Sequence, residues 1–303
     1  MNSSSKVLML IRREVWENRS LWIAPLVISG VILVAAAFGG INVEGSPGFP
    51  FGRDAEGSSV AAHIGGSKSQ MAYAIGISAI TMIQLIALGV LVFFYLLDAL
   101  LAERKDRSIL FWKSLPVSDT EVVASKALTG LVVTPAYVLL LSAVTQLIVG
   151  LIVWLRFGSS PLGNIIIPVD FGIWAQVQVG FWALAPAVIL WYLPLAAYLL
   201  LVSVWARKNA FLWAVLPPVA ILLIEGLLLQ SHRFASFLGH RFSGVFKLLD
   251  LDSAREVAGV SPLAEFLRHV ALVFTHYETW LGVLVAAAFL VAVIRIRRYR
   301  DDS

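Results

Sequence analysis

SQMAYAIGISAITMIQLIALGVLVFFYLL, residues 69–97, runs for 29 positions without a charged side chain. About 20 helical residues cross the hydrocarbon core of a bilayer, so this stretch reads as a membrane span with length to spare. It does not alternate apolar and polar residues as a barrel strand would, and an isolated strand in lipid would leave its backbone polar groups unpaired. A helix is the one conformation that satisfies this stretch internally.

Outward from it, uncharged runs recur at Leu21 to Phe38, Ala127 to Leu155, Phe171 to Ala206, Asn209 to Ile224 and Thr279 to Ile294. The two shortest must borrow a turn from their flanks to cross. Within Phe171 to Ala206, Trp174, Gln176 and Gln178 make the early part a poor lipid segment, which places that span at Gly180 to Val204. The chain of 303 residues is 59% hydrophobic and only 14% charged, with mean hydropathy +0.85. A soluble globule carries nearly twice that charged fraction. The fold class is therefore an all-α polytopic membrane protein of six transmembrane helices, a single transmembrane domain over residues 1–303. The first run has basic residues behind an apolar patch and no small-residue cleavage site, so it is expected to be retained as a span.

Net charge is +4, but its placement is more informative than its sum. With the N-terminus inside, 15 of the 23 Lys and Arg residues fall on inside segments, which puts both termini in the cytoplasm. Cysteine is absent, which removes disulfides, thiolate chemistry and cysteine metal ligands together.

Before the first span, Val7, Leu8, Ile11, Val15 and Trp16 recur at spacings of three and four, with Arg12, Arg13, Glu17 and Arg19 opposite. Residues 5–19 are expected to form an amphipathic helix, suited to lie in the interface, with a short soluble N-terminal helix as the alternative. Residues 39–70 are rich in Gly, Ser and Pro and read as an irregular outer loop. The GGSKS at 65–69 lacks the spacing of a phosphate-binding loop and precedes an apolar helix. ARKN, residues 206–209, joins spans four and five as a tight hairpin, and Pro217 and Pro218 are expected to kink span five. In residues 230–278, Phe234, Phe237, Leu238, Phe242, Val245 and Phe246 recur at helical spacing, and Pro262 with Glu265 marks a second helix start. These read as external short helices that dip into or lie on the outer interface, or equally as a small soluble cap.

The charged segment at 98–126 contains AERKDRSILFWKSLPVSDTEVVASK (residues 102–126). Glu103 and Arg107 suit an exposed helix continuing span two past Asp98. Ser118 and Glu121 form a capping box that starts a new helix. Between them lies an apolar turn with Phe111, Trp112, Leu115 and Pro116. Such a turn suits either interfacial packing or a docking knob that fills a groove in a soluble partner.

The run ERKDRSILFWKSLPVSDTE at 103–121, with the N-terminal amphipathic helix and the helical element between spans five and six, resembles the permease subunit of an ABC-2 type transporter, the six-span class of bacterial ABC exporters. The resemblance implies an elbow helix at 5–19, a cytoplasmic coupling segment at 98–126 and a re-entrant element within 230–278. It implies docking on an ATPase through Glu103, Arg104, Lys105, Asp106, Arg107, Phe111, Trp112, Lys113, Leu115, Pro116 and Glu121. No Walker motif or LSGGQ sequence occurs, so ATP and Mg would be held by a separate ATPase chain and this chain would hold no cofactor and do no chemistry. It further implies a second copy of the permease, contact with membrane lipids, an amphiphilic or small transported substrate, no nucleic-acid partner, and residence in the bacterial inner membrane.

Other candidates are weaker. Glu225 and Asp98 are ionisable groups at span ends, either functional or simply interfacial. Gln84 and Gln146 can bond across helices. His232, His240, His269 and His276 are spaced too irregularly for a metal and read as solvated helix faces. A secondary transporter should show paired broken spans, for which only Pro217 and Pro218 offer material. A non-transporting membrane scaffold or sensor would use the charged segment as a plain protein-binding site.

Overall fold

The structure is a computed structural model, and it describes residues 3–38, 66–105, 117–157, 170–228, 230–249 and 262–299. Among the described residues all regular structure is helical. In chain order the helices are α1 (Ser3–Glu17), α2 (Ser20–Phe38), α3 (Gly66–Asp98), α4 (Leu101–Lys105), α5 (Asp119–Leu128), α6 (Thr134–Phe157), α7 (Phe171–Trp205), α8 (Ala210–Leu227), α9 (Arg233–Leu249), α10 (Pro262–Thr275) and α11 (Tyr277–Tyr299). Among the described residues six stretches are long and apolar enough to cross a membrane, in α2, α3–α4, α5–α6, α7, α8 and α11. The chain is a multi-pass helical membrane protein.

Span four departs from expectation. Helix α7 starts at Phe171, nine residues before Gly180. Asp170 Oδ1 accepts the amides of Gly172 (2.7 Å) and Ile173 (3.2 Å), an N-cap that sets this earlier start. Gln178 is not solvated but buried, donating to Gln146 Oε1 at 2.6 Å.

Span five runs through both of its prolines without interruption. Pro218 has no N–H for the Ala214 carbonyl four residues earlier, and the Tyr198 hydroxyl of α7 donates to that carbonyl instead, at 2.9 Å. In span three, Pro135 likewise has no N–H for the Leu131 carbonyl four residues earlier. There the chain widens into a π-helical turn, Thr129–Val133, whose Thr129 carbonyl takes both the amide and the hydroxyl of Thr134. The hairpin between α7 and α8 is closed by Asn209 at φ 51°, a left-handed conformation that Asn tolerates well.

The chain folds as two compact units. One comprises Ile23–Ala87 and Tyr137–Val179. Its interior carries a seam of uncharged polar side chains. Gln84 donates to Ser29 Oγ (2.8 Å), and Gln146 donates to Thr81 Oγ1 (2.6 Å) and to the Ile77 carbonyl (2.9 Å). Both glutamines therefore bond across helices, each such bond contributing on the order of 0.6 kcal/mol in lipid.

The other unit comprises Met1–Trp22, Leu88–Ala136 and Gly180–Ser303. Its larger apolar cluster centres on Leu21, Leu96, Leu100, Val123, Leu200 and Val293. A smaller one is built on Trp191, fully buried with Ala187, Val270 and Val273. Here α9 and α10 dock on α7. Trp191 Nε1 donates to the Arg241 carbonyl at 2.8 Å, and Tyr192 donates to the Phe242 carbonyl at 2.7 Å. Close approach requires glycine at 244, where a Cβ would lie 2.7 Å from the Trp191 ring. Two amphipathic helices thus lie between spans five and six, where helices were expected.

Candidate functional site: a buried ionic junction

Five charged side chains converge in the second unit. Helix α1 turns Glu14 inward, α4 supplies Glu103, α5 supplies Lys126 and Asp119, and the end of α11 supplies Arg297. Lys126 Nζ lies 2.7 Å from Glu14 Oε1 and 3.0 Å from Glu103 Oε1. Arg297 spans the other side, with Nη1 2.7 Å from Glu103 Oε2 and Nε 3.0 Å from Asp119 Oδ1. The Tyr95 hydroxyl donates to Glu14 Oε2 at 3.0 Å. Glu14, Glu103, Lys126 and Arg297 are each 5% exposed or less.

Three carboxylates thus face two cations. The excess negative charge rests where desolvation is least costly, because the Asp119 side chain is 28% exposed. A buried ion pair adds little net stability over apolar packing, but removing one member leaves an uncompensated buried charge. What the junction supplies is one fixed arrangement of four helix ends.

Local chemistry holds the frame around it. Ser118 Oγ accepts the Glu121 amide at 3.2 Å while Glu121 Oε2 accepts the Ser118 amide at 2.8 Å, the expected capping box, and it starts α5 so that Asp119 and Lys126 face inward. Ser203 Oγ of α7 accepts the amides of Leu100 (3.0 Å) and Leu101 (3.2 Å), fixing the turn between α3 and α4. Gly130, in the π-helical turn, admits the Tyr95 ring, which a Cβ would meet at 3.2 Å.

The sequence-derived residues divide accordingly. Glu103 corrects the expectation of an exposed helix face. It is 5% exposed and turned inward, because Lys126 and Arg297 neutralise it there. Arg104 reaches the carbonyls of Ser203 and Ala206 at the end of α7, where a cation complements the helix dipole. Lys105 is exposed, and Glu121 serves the capping box. Asp106, Arg107, Phe111, Trp112, Lys113, Leu115 and Pro116 lie outside the described residues. Asp98 is exposed at the end of α3.

Glu225 has a structural role. Its carboxylate accepts the Ser231 hydroxyl (2.7 Å) and the amides of Phe234 (2.8 Å) and Ala235 (3.3 Å), capping α9 from the end of span five. Replacing Glu225 with Ala should raise amide exchange at Phe234 and Ala235 at least about tenfold. Unchanged protection would show that the carboxylate does not hold the helix start.

His232 is exposed as expected, but His240 and His269 are more engaged. His240 pairs with Glu278 at 2.7 Å and the His269 side chain is 14% exposed beside Glu265. Among the described residues no group of three or more His, Asp or Glu could hold a metal ion.

No family model, curated protein or solved structure matches the chain.

Reading of the sequence missed Glu14, Lys126 and Arg297 as a set. The available signal was Glu14, a carboxylate on the stripe Val7, Leu10, Glu14 and Asn18. The same helix leaves Leu8 and Trp16 outward, 66% and 67% exposed.

Proposed function

We propose that the protein is the membrane-spanning subunit of an ATP-driven exporter in the bacterial inner membrane, working as a pair of copies with a separate ATPase chain. One observation carries the reading: residues 106–116 are flanked on both sides by the junction. Glu103 is two residues before Lys105, the last residue described ahead of the segment, and Asp119 is two residues after Val117, the first described beyond it. Both side chains bind Arg297. A partner that grips Phe111, Trp112 and Leu115 pulls on an ionic base shared by the elbow helix and spans two, three and six.

In this reading the junction end faces the cytoplasm, as the Lys and Arg bias requires. ATP binding and hydrolysis belong to the partner, and this chain contributes the lever and the route through the bilayer. The transported molecule is amphiphilic or small. Affinity purification of the full-length chain from its native membrane should recover a chain bearing Walker A and LSGGQ motifs. Recovery of a partner without nucleotide-binding motifs would replace the exporter by a membrane scaffold.

A further inference from the structure

A groove of about 830 Å³ opens in the second unit between α1, the last turns of α3 and the start of α8. This is the size of a small-ligand site. One wall is apolar, built from Leu91, Phe94 and Leu97 of α3 and Phe211 of α8. The rings of Phe94 and Phe211 stack with centroids 6.1 Å apart, and each residue is 53% exposed. Charged side chains of α1, α3, α4 and α5 also line it.

Most of that charge is spent internally. Glu14 and Glu103 hold Lys126, and Glu17 holds Arg13 at 2.6 Å. Two exposed lining charges stand outside these pairs, Asp98 and Lys105. Asp98 is the final residue of α3, one turn beyond Phe94, and the last turn of α3 contains no basic residue. The partial negative charge of the helix end therefore adds to the carboxylate instead of being offset. A carboxylate, a helix C-terminus and an aromatic face at one place are the elements that bind an ammonium group. Lys105 supplies a cation for a phosphate, and Leu91 with the phenylalanine pair supplies a surface for an acyl chain. The groove sits at the ends of the spans beside the charged turn Glu17–Arg19, where the uncharged runs stop.

We infer that this groove seats a zwitterionic phospholipid with an ammonium headgroup, taken from the leaflet on the junction side. The site stands apart from the transporter reading, since its test contains no ATPase. The full-length protein would be purified in detergent and incubated with equimolar phosphatidylethanolamine and phosphatidylglycerol of identical acyl chains. Bound lipid would then be counted by native mass spectrometry.

The protein should retain the ethanolamine lipid about fivefold over the glycerol lipid, the size of one cation–π contact plus one exposed ion pair. Asp98→Asn should remove that preference at an unchanged melting temperature. Phe94→Leu, which keeps the apolar wall and loses the ring face, should reduce it. Equal retention of the two lipids by the unaltered protein, or an unchanged preference in both variants, would overturn the assignment.

Discussion

Lys126→Met should destabilise the protein by about 3–5 kcal/mol, the cost of breaking a buried ion pair from one side. The ammonium is 3% exposed and serves two carboxylates at once, Glu14 and Glu103. Methionine fills much of the same volume, so the loss is electrostatic and not a cavity. Lys208→Met, at the exposed α7–α8 hairpin, should stay within about 0.5 kcal/mol of the unaltered protein. The diagnostic result is the double variant. Glu103 keeps Arg297, so the charge that Lys126→Met strands is Glu14; adding Glu14→Gln removes it, and the pair together should be more stable than Lys126→Met alone. Thermal unfolding in detergent measures all three. If the double variant were the least stable, Glu14 would be stabilised by something other than Lys126 and the junction as drawn would be wrong.

Trp112→Asp, and separately Leu115→Asp, should abolish recovery of the ATPase chain while leaving the spans inserted. A hot-spot aromatic buried in a partner groove commonly accounts for 2 kcal/mol or more of binding, and a carboxylate in its place adds the cost of desolvating a charge. Two such positions in one short segment leave little to hold the complex. The junction lies on the flanks of the segment, at Glu103, Asp119 and Lys126, so unfolding of the chain should be unaffected by either change. Unaltered recovery of the ATPase would move the docking surface elsewhere on the chain.

The six spans were legible because a bilayer imposes one requirement, backbone groups satisfied within a long apolar helix, and a run such as residues 69–97 can meet it in one way only. The capping box at Ser118 and Glu121 was legible for a similar reason, since both partners lie within one turn. Contacts between helices distant in sequence were not. Nothing in RIRRYR, residues 295–300, distinguishes Arg297 from its neighbours, because the choice depends on which face of α11 meets Glu103, 194 residues earlier. The polar residues at the start of α7 misled for a related reason. Gln178 reads as unfit for lipid, yet it is buried and donates to Gln146 of span three. Glu225 was visible as an ionisable group at a span end, but its role as a cap required knowing that α9 folds back onto it.

A photo-crosslinking side chain at position 112, activated in intact membranes of the native host, tests the central claim most directly. A single dominant protein adduct that contains the nucleotide-binding motifs, formed from the cytoplasmic side, is the expected result. An adduct with no such chain, or labelling of position 112 from the opposite face of the bilayer alone, would contradict it.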